Sequence, residues 1–290
     1  MTKNLNGVLI QDTFAEAWDL DVARLVLTAI SGEVALGAAQ QFVGAAGSSE
    51  LGSRINAGIE RAALPRETPD GRPGVVVACT MPPQRRGDLV DELALRVVLA
   101  TLIPTCAVFD CMVPEAQETV SVDLYARTAS RWQGYDTERE IGGRRACVVP
   151  TTAGEFLYEK SVRLSTKGTD GHIVCYAHSA APAVLAVQAA KDALAGVDGV
   201  APMGFGLEQV YRELDYVPAL RDRVEGSKVP HGVGSILNLL MFGCTAELVR
   251  RGMKAAIEAA AKVPGVLEIG AMNFGGQFGR HKYVLHELLK

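Results

Sequence analysis

Two stretches of this 290-residue chain repeat each other without a gap: Ala189–Val200 (AAKDALAGVDGV) and Ala255–Val266 (AAIEAAAKVPGV) agree at seven of twelve positions. Each reads as the end of an Ala-rich helix, a turn closing on Gly-Val, and the start of an apolar segment. Alanine along one face lets a helix lie close on a sheet, and the glycine after each helix offers a left-handed cap. Two copies of a helix-to-strand unit are what a split βαβ, ferredoxin-like arrangement contains. The expected class is α+β, with two lobes built from ferredoxin-like units and a β-rich middle segment. The expected division is an N-terminal lobe over residues 1–150 and a C-terminal lobe over 151–290.

Composition supports a packed protein, with 48% hydrophobic and 21% charged residues. The length exceeds what one small core needs. A net charge of −4 and a pI near 5.8, without a basic stripe, argue against nucleic acid as a partner. The six cysteines contain no C-x-x-C pair and read as small buried hydrophobes in a reducing cytosol. His281 and His286 lie near each other without a third ligand, so no metal site is expected. Met1–Leu9 lacks the charged start and apolar run of a signal peptide. The longest apolar run, around Ser235–Gly243, falls short of the roughly 20 residues of a membrane helix. These features predict a cytoplasmic protein without a membrane partner. Its apolar content and Ala/Gly helix faces suit oligomer contacts.

Along the chain, Gly7–Ile10 reads as a strand and Phe14–Ile30 as a helix. Asp12 or Thr13 would cap that helix, with Glu16 in its first turn. Thr68-Pro69-Asp70-Gly71 is a turn, Val75–Cys79 a strand and Asp88–Leu102 a helix. Short β-rich runs at Thr119–Arg127, Arg144–Val149, Glu155–Arg163 and Gly171–Ala177 suggest a mostly antiparallel middle. Helical periodicity returns at Ala183–Ala195, and Leu207–Arg223 is charged and helix-like.

No P-loop, strand-linked G-x-G-x-x-G or G-x-S-x-G is present. The run Asn273-Phe274-Gly275-Gly276-Gln277-Phe278-Gly279 either lets backbone approach a planar or anionic ligand or is a tight connection. Asp12, Asp110 and Glu155 sit at element ends, where carboxylates serve as general acids or bases and also as caps and turn formers. Arg72, in the rigid Asp70–Gly74 turn, is an anion clamp or a salt-bridge residue.

Read together, these segments are similar to a known family. Asp12-Thr13-Phe14-Ala15-Glu16-Ala17, Ala57-Gly58-Ile59-Glu60, Thr68–Gly74, Thr105–Met112 (TCAVFDCM), Gly154-Glu155-Phe156, Val263–Val266 and Asn273–Gly279 occur in collinear order. They resemble the formylmethanofuran:tetrahydromethanopterin formyltransferase family from residue 7 to the C-terminus.

That resemblance implies a two-lobed α+β subunit with ferredoxin-like units, assembled as a homotetramer, and reversible formyl transfer between methanofuran, or a bacterial analogue, and N5 of tetrahydromethanopterin. Both carriers are co-substrates, with no tightly bound cofactor and no metal. In bacterial methylotrophs the corresponding subunit joins formylmethanofuran hydrolase subunits. The catalytic residues expected are Asp12, Asp110 and Glu155. The substrate-binding residues expected are Thr13, Glu16, Asp70, Arg72, Thr105, Lys228, Asn273, Gly275 and Gly276. Lys228 belongs to Gly226-Ser227-Lys228-Val229, which is similar to a Gly/Ser/Lys-rich loop of the family. The strand Gly232–Gly243 is acid-free, with Asn238 where the family pattern has a glutamate. A second reading keeps the fold in a divergent paralogue, serving as a binding or structural subunit or acting on another one-carbon substrate.

Overall fold

The computed structural model describes residues 3–45, 49, 52–206 and 214–290. The chain opens with four strands, β1 (Lys3–Leu5), β2 (Val8–Ile10), β3 (Phe14–Ala17) and β4 (Asp19–Thr28). There follow α1 (Gly32–Val43), β5 (Asn56–Ala63), β6 (Gly74–Met81), α2 (Arg86–Ala100), β7 (Ala107–Asp110), β8 (Thr119–Asp123) and α3 (Tyr125–Thr128). Then come β9 (Thr137–Ile141), β10 (Arg144–Thr151), β11 (Gly154–Glu159) and the long β12 (Ser161–Ala177). The remainder is α4 (Ala180–Leu194), β13 (Val200–Pro202), β14 (Ser235–Gly243), α5 (Ala246–Ala260), β15 (Val266–Gly270), β16 (His281–Val284) and α6 (Leu285–Leu288).

The chain forms two compact units, one of Leu20–Gly168 and one joining Met1–Asp19 to Thr169–Lys290. This differs from the expected division at residue 150, and the pairing of the opening strands explains why. β2 runs parallel to β15 with Ile10 opposite Ile269, and β3 runs antiparallel to β16 with Ala15 opposite Tyr283.

In the Leu20–Gly168 unit, β7, β4, β6 and β5 lie side by side in that order, all antiparallel. With α1 after β4 and α2 after β6, this is a ferredoxin-like arrangement. Ser31 caps α1 by accepting the Val34 N–H. The helix expected over Phe14–Ile30 does not form, because that stretch is β3 and β4. Ala23, Leu25 and Leu27 of β4 pack with Phe42, Leu89 and Leu93 from the helices. Val26 packs instead with Val76, Ala107 and Phe109. A strand buried on both sides loses its polar alternation, and its apolar run mimics a buried helix. Asp12 and Thr13 therefore cap nothing. The β-rich middle is antiparallel at β9–β10–β11 and β8–β12, but β11 runs parallel to β7. Thr119–Arg127 is a strand only to Asp123, then a helical turn.

In the other unit, β15, β12, β14 and β13 lie in that order, again all antiparallel. The repeat is real in three dimensions: α4 and α5 are 15 residues each, start after Ser179 and Thr245, and lead to strands opening at Val200 and Val266. The left-handed residues are Gly199 (φ 86°) and Gly265 (φ 90°), immediately before those strands. The helix C-caps themselves are Ala195 and Ala261, both right-handed, so the glycines turn the chain into the sheet rather than cap the helix. Close approach of α5 is permitted by Gly171 and Gly243, where an added Cβ would lie 2.7 and 2.9 Å from Val249. Of the helix expected over Leu207–Arg223, residues 207–213 lie outside the described residues. The rest contains two short 3-10 turns, Leu214–Tyr216 and Pro218–Leu220.

Candidate active site

β3 and β16 form a two-stranded antiparallel ribbon, with Glu16 opposite Lys282. The chain joining β15 to β16 folds over Glu16 and presents four backbone N–H groups to its carboxylate. Phe274 and Gly276 donate to Oε2 at 2.7 and 2.9 Å, and Phe278 and Gly279 donate to Oε1 at 2.6 Å each. Gly275 and Gly276, both at φ 71°, supply the left-handed turns that aim successive amides to one side. Glu16 is fully buried. Burial alone would raise its pKa, but the four donors outweigh it and hold the carboxyl at about 2. Glu16 is thus a fixed anion and an anchor, not a proton carrier. The glycine-rich loop does cradle an anion, and that anion is the protein's own.

Asn273 ties the loop to the start of β3. Its Nδ2 donates to Thr13 Oγ1 at 3.1 Å and to the Phe14 carbonyl at 3.2 Å, while its Oδ1 accepts the Gly275 N–H at 3.1 Å. Thr13, Glu16, Asn273, Gly275 and Gly276, taken from the two ends of the sequence, therefore form one cluster. Asp12 flanks it with a side chain 72% exposed, 3.5 Å from His286 Nδ1. His286 Nε2 lies 2.8 Å from the Ile10 carbonyl, so that nitrogen carries a proton and Nδ1 faces Asp12. Beneath the loop, buried His172 Nε2 accepts the Met272 N–H at 2.9 Å. Burial pushes this imidazole down to about 4, only partly offset by the Met272 carbonyl, and the ring stays neutral.

The remaining expected positions are not in this cluster. Asp70, Arg72 and Thr105 meet in the other unit around Thr28. Arg72 donates from Nε to Asp70 at 2.9 Å, from Nη1 to the Thr105 carbonyl at 2.6 Å and from Nη2 to Thr28 Oγ1 at 3.2 Å. Its guanidinium is an internal clamp on the turn rather than an anion site. Thr105 itself is left-handed, at φ 63°. Lys228 pairs with Asp215 at 2.7 Å.

Asp110, at the end of β7, is buried and accepts from Arg163 Nε at 2.6 Å. Its backbone N–H donates to Glu159 at 2.9 Å, and Glu159 pairs with Arg144 at 2.9 Å. Arg24 and Glu60, joined at 2.6 Å and both buried, adjoin this group through the Cys111 carbonyl. Removing one partner of such a buried pair costs roughly 3–5 kcal/mol, so the network first of all holds the fold. Glu155 is a surface residue, forked by Arg139 at 2.8 and 2.9 Å, which holds its carboxyl below the usual range. By the parallel register of β11 and β7, Glu155 and Asp110 lie about five residues apart along the strands, roughly 15 Å. They do not form a pair.

Reading the sequence missed Glu159, Arg144 and Arg163 around Asp110, and His172 and His286 around the loop. No local spacing signals them, since Arg144, Glu159 and Arg163 come from β10, β11 and β12, His172 from farther along β12, and His286 from α6. Asn238 is buried opposite Val174, and its Oδ1 has no hydrogen-bond partner among the described residues. Among the described residues no group of three or more His, Cys, Asp or Glu is placed to hold a metal ion.

Comparison with known proteins adds an independent line. Residues 3–151 match the family model described as formylmethanofuran-tetrahydromethanopterin formyltransferase, and residues 211–288 match the model of its proximal lobe. The formyltransferase of Methanothermus fervidus is 35% identical over 98% of this chain and 99% of its own length. The formyltransferase structure from Methanosarcina barkeri superposes with a TM-score of 0.89 at 31% identity, over 99% of this chain and 100% of that one. A chain of the formyltransferase/hydrolase complex from Methylorubrum extorquens, in complex with methylofuran, gives a TM-score of 0.88 at 28% identity, over 100% and 99%.

Proposed function

The chain belongs to the formylmethanofuran–tetrahydromethanopterin formyltransferase family, and on that premise we propose that it transfers a formyl group between methanofuran, or an analogue such as methylofuran, and N5 of tetrahydromethanopterin. The observation that carries this is end-to-end similarity to curated formyltransferases, and it favours the enzyme over a non-catalytic paralogue. The convergence of Asp12–Ala17 and Asn273–Gly279 on one carboxylate supports placing the reaction beside it.

The amine of one carrier attacks the formyl carbon held by the other. The carbonyl becomes a tetrahedral oxyanion, and collapse breaks the original C–N bond as a proton passes from the attacking to the leaving nitrogen. Thr13 accepts from Asn273, which leaves its own hydroxyl proton to donate to the oxyanion. Asp12 is the one expected catalytic carboxylate in the same unit as this cluster, and with His286 beside it we assign it the proton transfer. Glu16 holds the surrounding backbone rigid. The carriers themselves must cover Asp12 and exclude water, since a formyl group lost to water is wasted.

Two further parts belong to the same reading. The methylofuran-bound complex supports work beside hydrolase subunits. Homotetrameric assembly in the cytoplasm is the arrangement the resemblance implies, and no helix among the described residues is long and apolar enough to cross a membrane. The deciding experiment mixes purified protein with formylated and unformylated carriers and follows the pterin absorbance. Formyl transfer at enzymatic rates is expected, and no turnover above background would overturn the proposal. Sedimentation at micromolar concentration tests the assembly, where a monomer would count against it.

A further inference from the structure

Three large aromatic side chains stand in solvent around the Glu16 loop: Trp18 is 37% exposed, Phe274 58% and Phe278 68%. They touch one another edge to face. The Trp18 and Phe274 rings lie 6.2 Å apart at 67°, and Phe274 and Phe278 lie 5.8 Å apart at 80°. The backbone N–H of each is held by a carboxylate, Trp18 by Asp170 at 2.6 Å and the two phenylalanines by Glu16 at 2.7 and 2.6 Å. These bonds fix the backbone that carries the rings, and the rings face out. Edge-to-face contacts leave ring faces unpaired, and a flat ring stacks on such faces.

The size of the patch selects the kind of ligand. Together the three side chains expose on the order of 350 Å², given about 150–250 Å² for each whole side chain. A stable protein interface needs about 800 Å² per partner. One flat, one- or two-ring molecule matches the smaller figure. We infer that Trp18, Phe274 and Phe278 form a stacking platform for the planar heteroaromatic ring of a one-carbon carrier. This deepens the formyl-transfer reading and rests on it.

The pterin ring and the furan ring share this chemistry, and the test separates them. Each carrier is titrated alone while tryptophan fluorescence is recorded, with Trp18→Phe as the control that removes the signal. The second tryptophan, Trp132, is buried, and any signal left in Trp18→Phe is its own. Steady-state kinetics of Phe274→Leu and Phe278→Leu are measured beside Phe274→Tyr. Expected is quenching by one carrier only, and a rise of roughly 5- to 20-fold in its KM in the leucine variants, with kcat and melting temperature unchanged. The tyrosine variant should behave as wild type. The carrier whose KM moves is the one that stacks. Quenching needs no turnover, so it decides the inference even if the wild type transfers no formyl group. Unchanged KM for both carriers with no quenching overturns it. Dissociation of an oligomer in the leucine variants with unchanged KM also overturns it, and would make the patch a contact between copies.

Discussion

Gly279 donates its backbone N–H to Glu16 Oε1 at 2.6 Å, and a Cβ at Gly279 would stand only 2.7 Å from the Glu16 Cγ. The same Cβ would lie 2.6 Å from the Ala17 carbonyl oxygen, which is backbone and cannot swing aside. The loop and β3 therefore meet at a distance only glycine permits. Gly279→Ala should lift the loop off Glu16 and lower the melting temperature by on the order of 5 °C. Amide exchange at Phe274, Gly276 and Phe278 should speed up in the same variant. Unchanged exchange there would show that the close approach is not what holds the loop.

Glu16→Gln keeps the shape and removes half the acceptors. An amide offers one acceptor oxygen where four N–H donors converge, and its NH₂ would face two of them. We expect a drop in melting temperature similar to that of Gly279→Ala, with kcat/KM falling alongside. A variant as stable and active as wild type would remove Glu16 from both roles.

Acid should weaken the protein in two stages. His172 titrates near 4 in the fold against an ordinary 6.5, so the unfolded chain takes up its proton first. The stability it contributes is complete above pH 6.5 and declines as pH falls towards 4. Glu16 titrates near 2 against 4.5, so its contribution is complete above pH 4.5 and is lost as pH falls towards 2. Melting curves from pH 8 to 3 should be level at the alkaline end and fall below about pH 6.5. A flat profile between pH 7 and 5 would contradict the account of His172.

Asp12→Asn should reduce turnover by about 10²- to 10⁴-fold, the usual effect of losing one general acid–base group. The melting temperature should hold, because the side chain is 72% exposed. If turnover survives, Asp110 and Glu155 are the next candidates, and they separate cleanly. Asp110→Asn takes the charge from a buried carboxylate held by half-exposed Arg163 and should cost stability, whereas Glu155→Gln breaks a surface pair with Arg139 and should leave the melting temperature nearly unchanged.

What could be read beforehand follows from what is local. The matched helices α4 and α5, the turn at Asp70–Gly71 and the left-handed glycines before Val200 and Val266 are set by residues within a few positions of one another. β4 was hidden because both its faces are buried, so Leu20–Ala29 shows no polar stripe. Glu16 read as an acid in the first turn of a helix, and its true partners lie at the far end of the chain. The same holds for Asp110, whose neighbours Glu159 and Arg163 arrive through the parallel pairing of β11 and the antiparallel pairing of β8 with β12. Asn273 and the glycines were legible as a loop; that the loop closes on the protein's own carboxylate was not.

The pairing of β2 with β15 and of β3 with β16 has a consequence for how the protein is made. During synthesis the Leu20–Gly168 unit has all of its strands once Gly168 has emerged, and domains fold as units while the ribosome continues. The first nineteen residues must wait for strands encoded at the far end. At ordinary elongation rates that wait is roughly 6–25 s. Nascent chains stalled near residue 200 should resist protease across Leu20–Gly168 while remaining cleavable before Asp19. The enzyme's opening segment, with Asp12 and Glu16 in it, would then be the last part to become native, and no truncated product could present an assembled site.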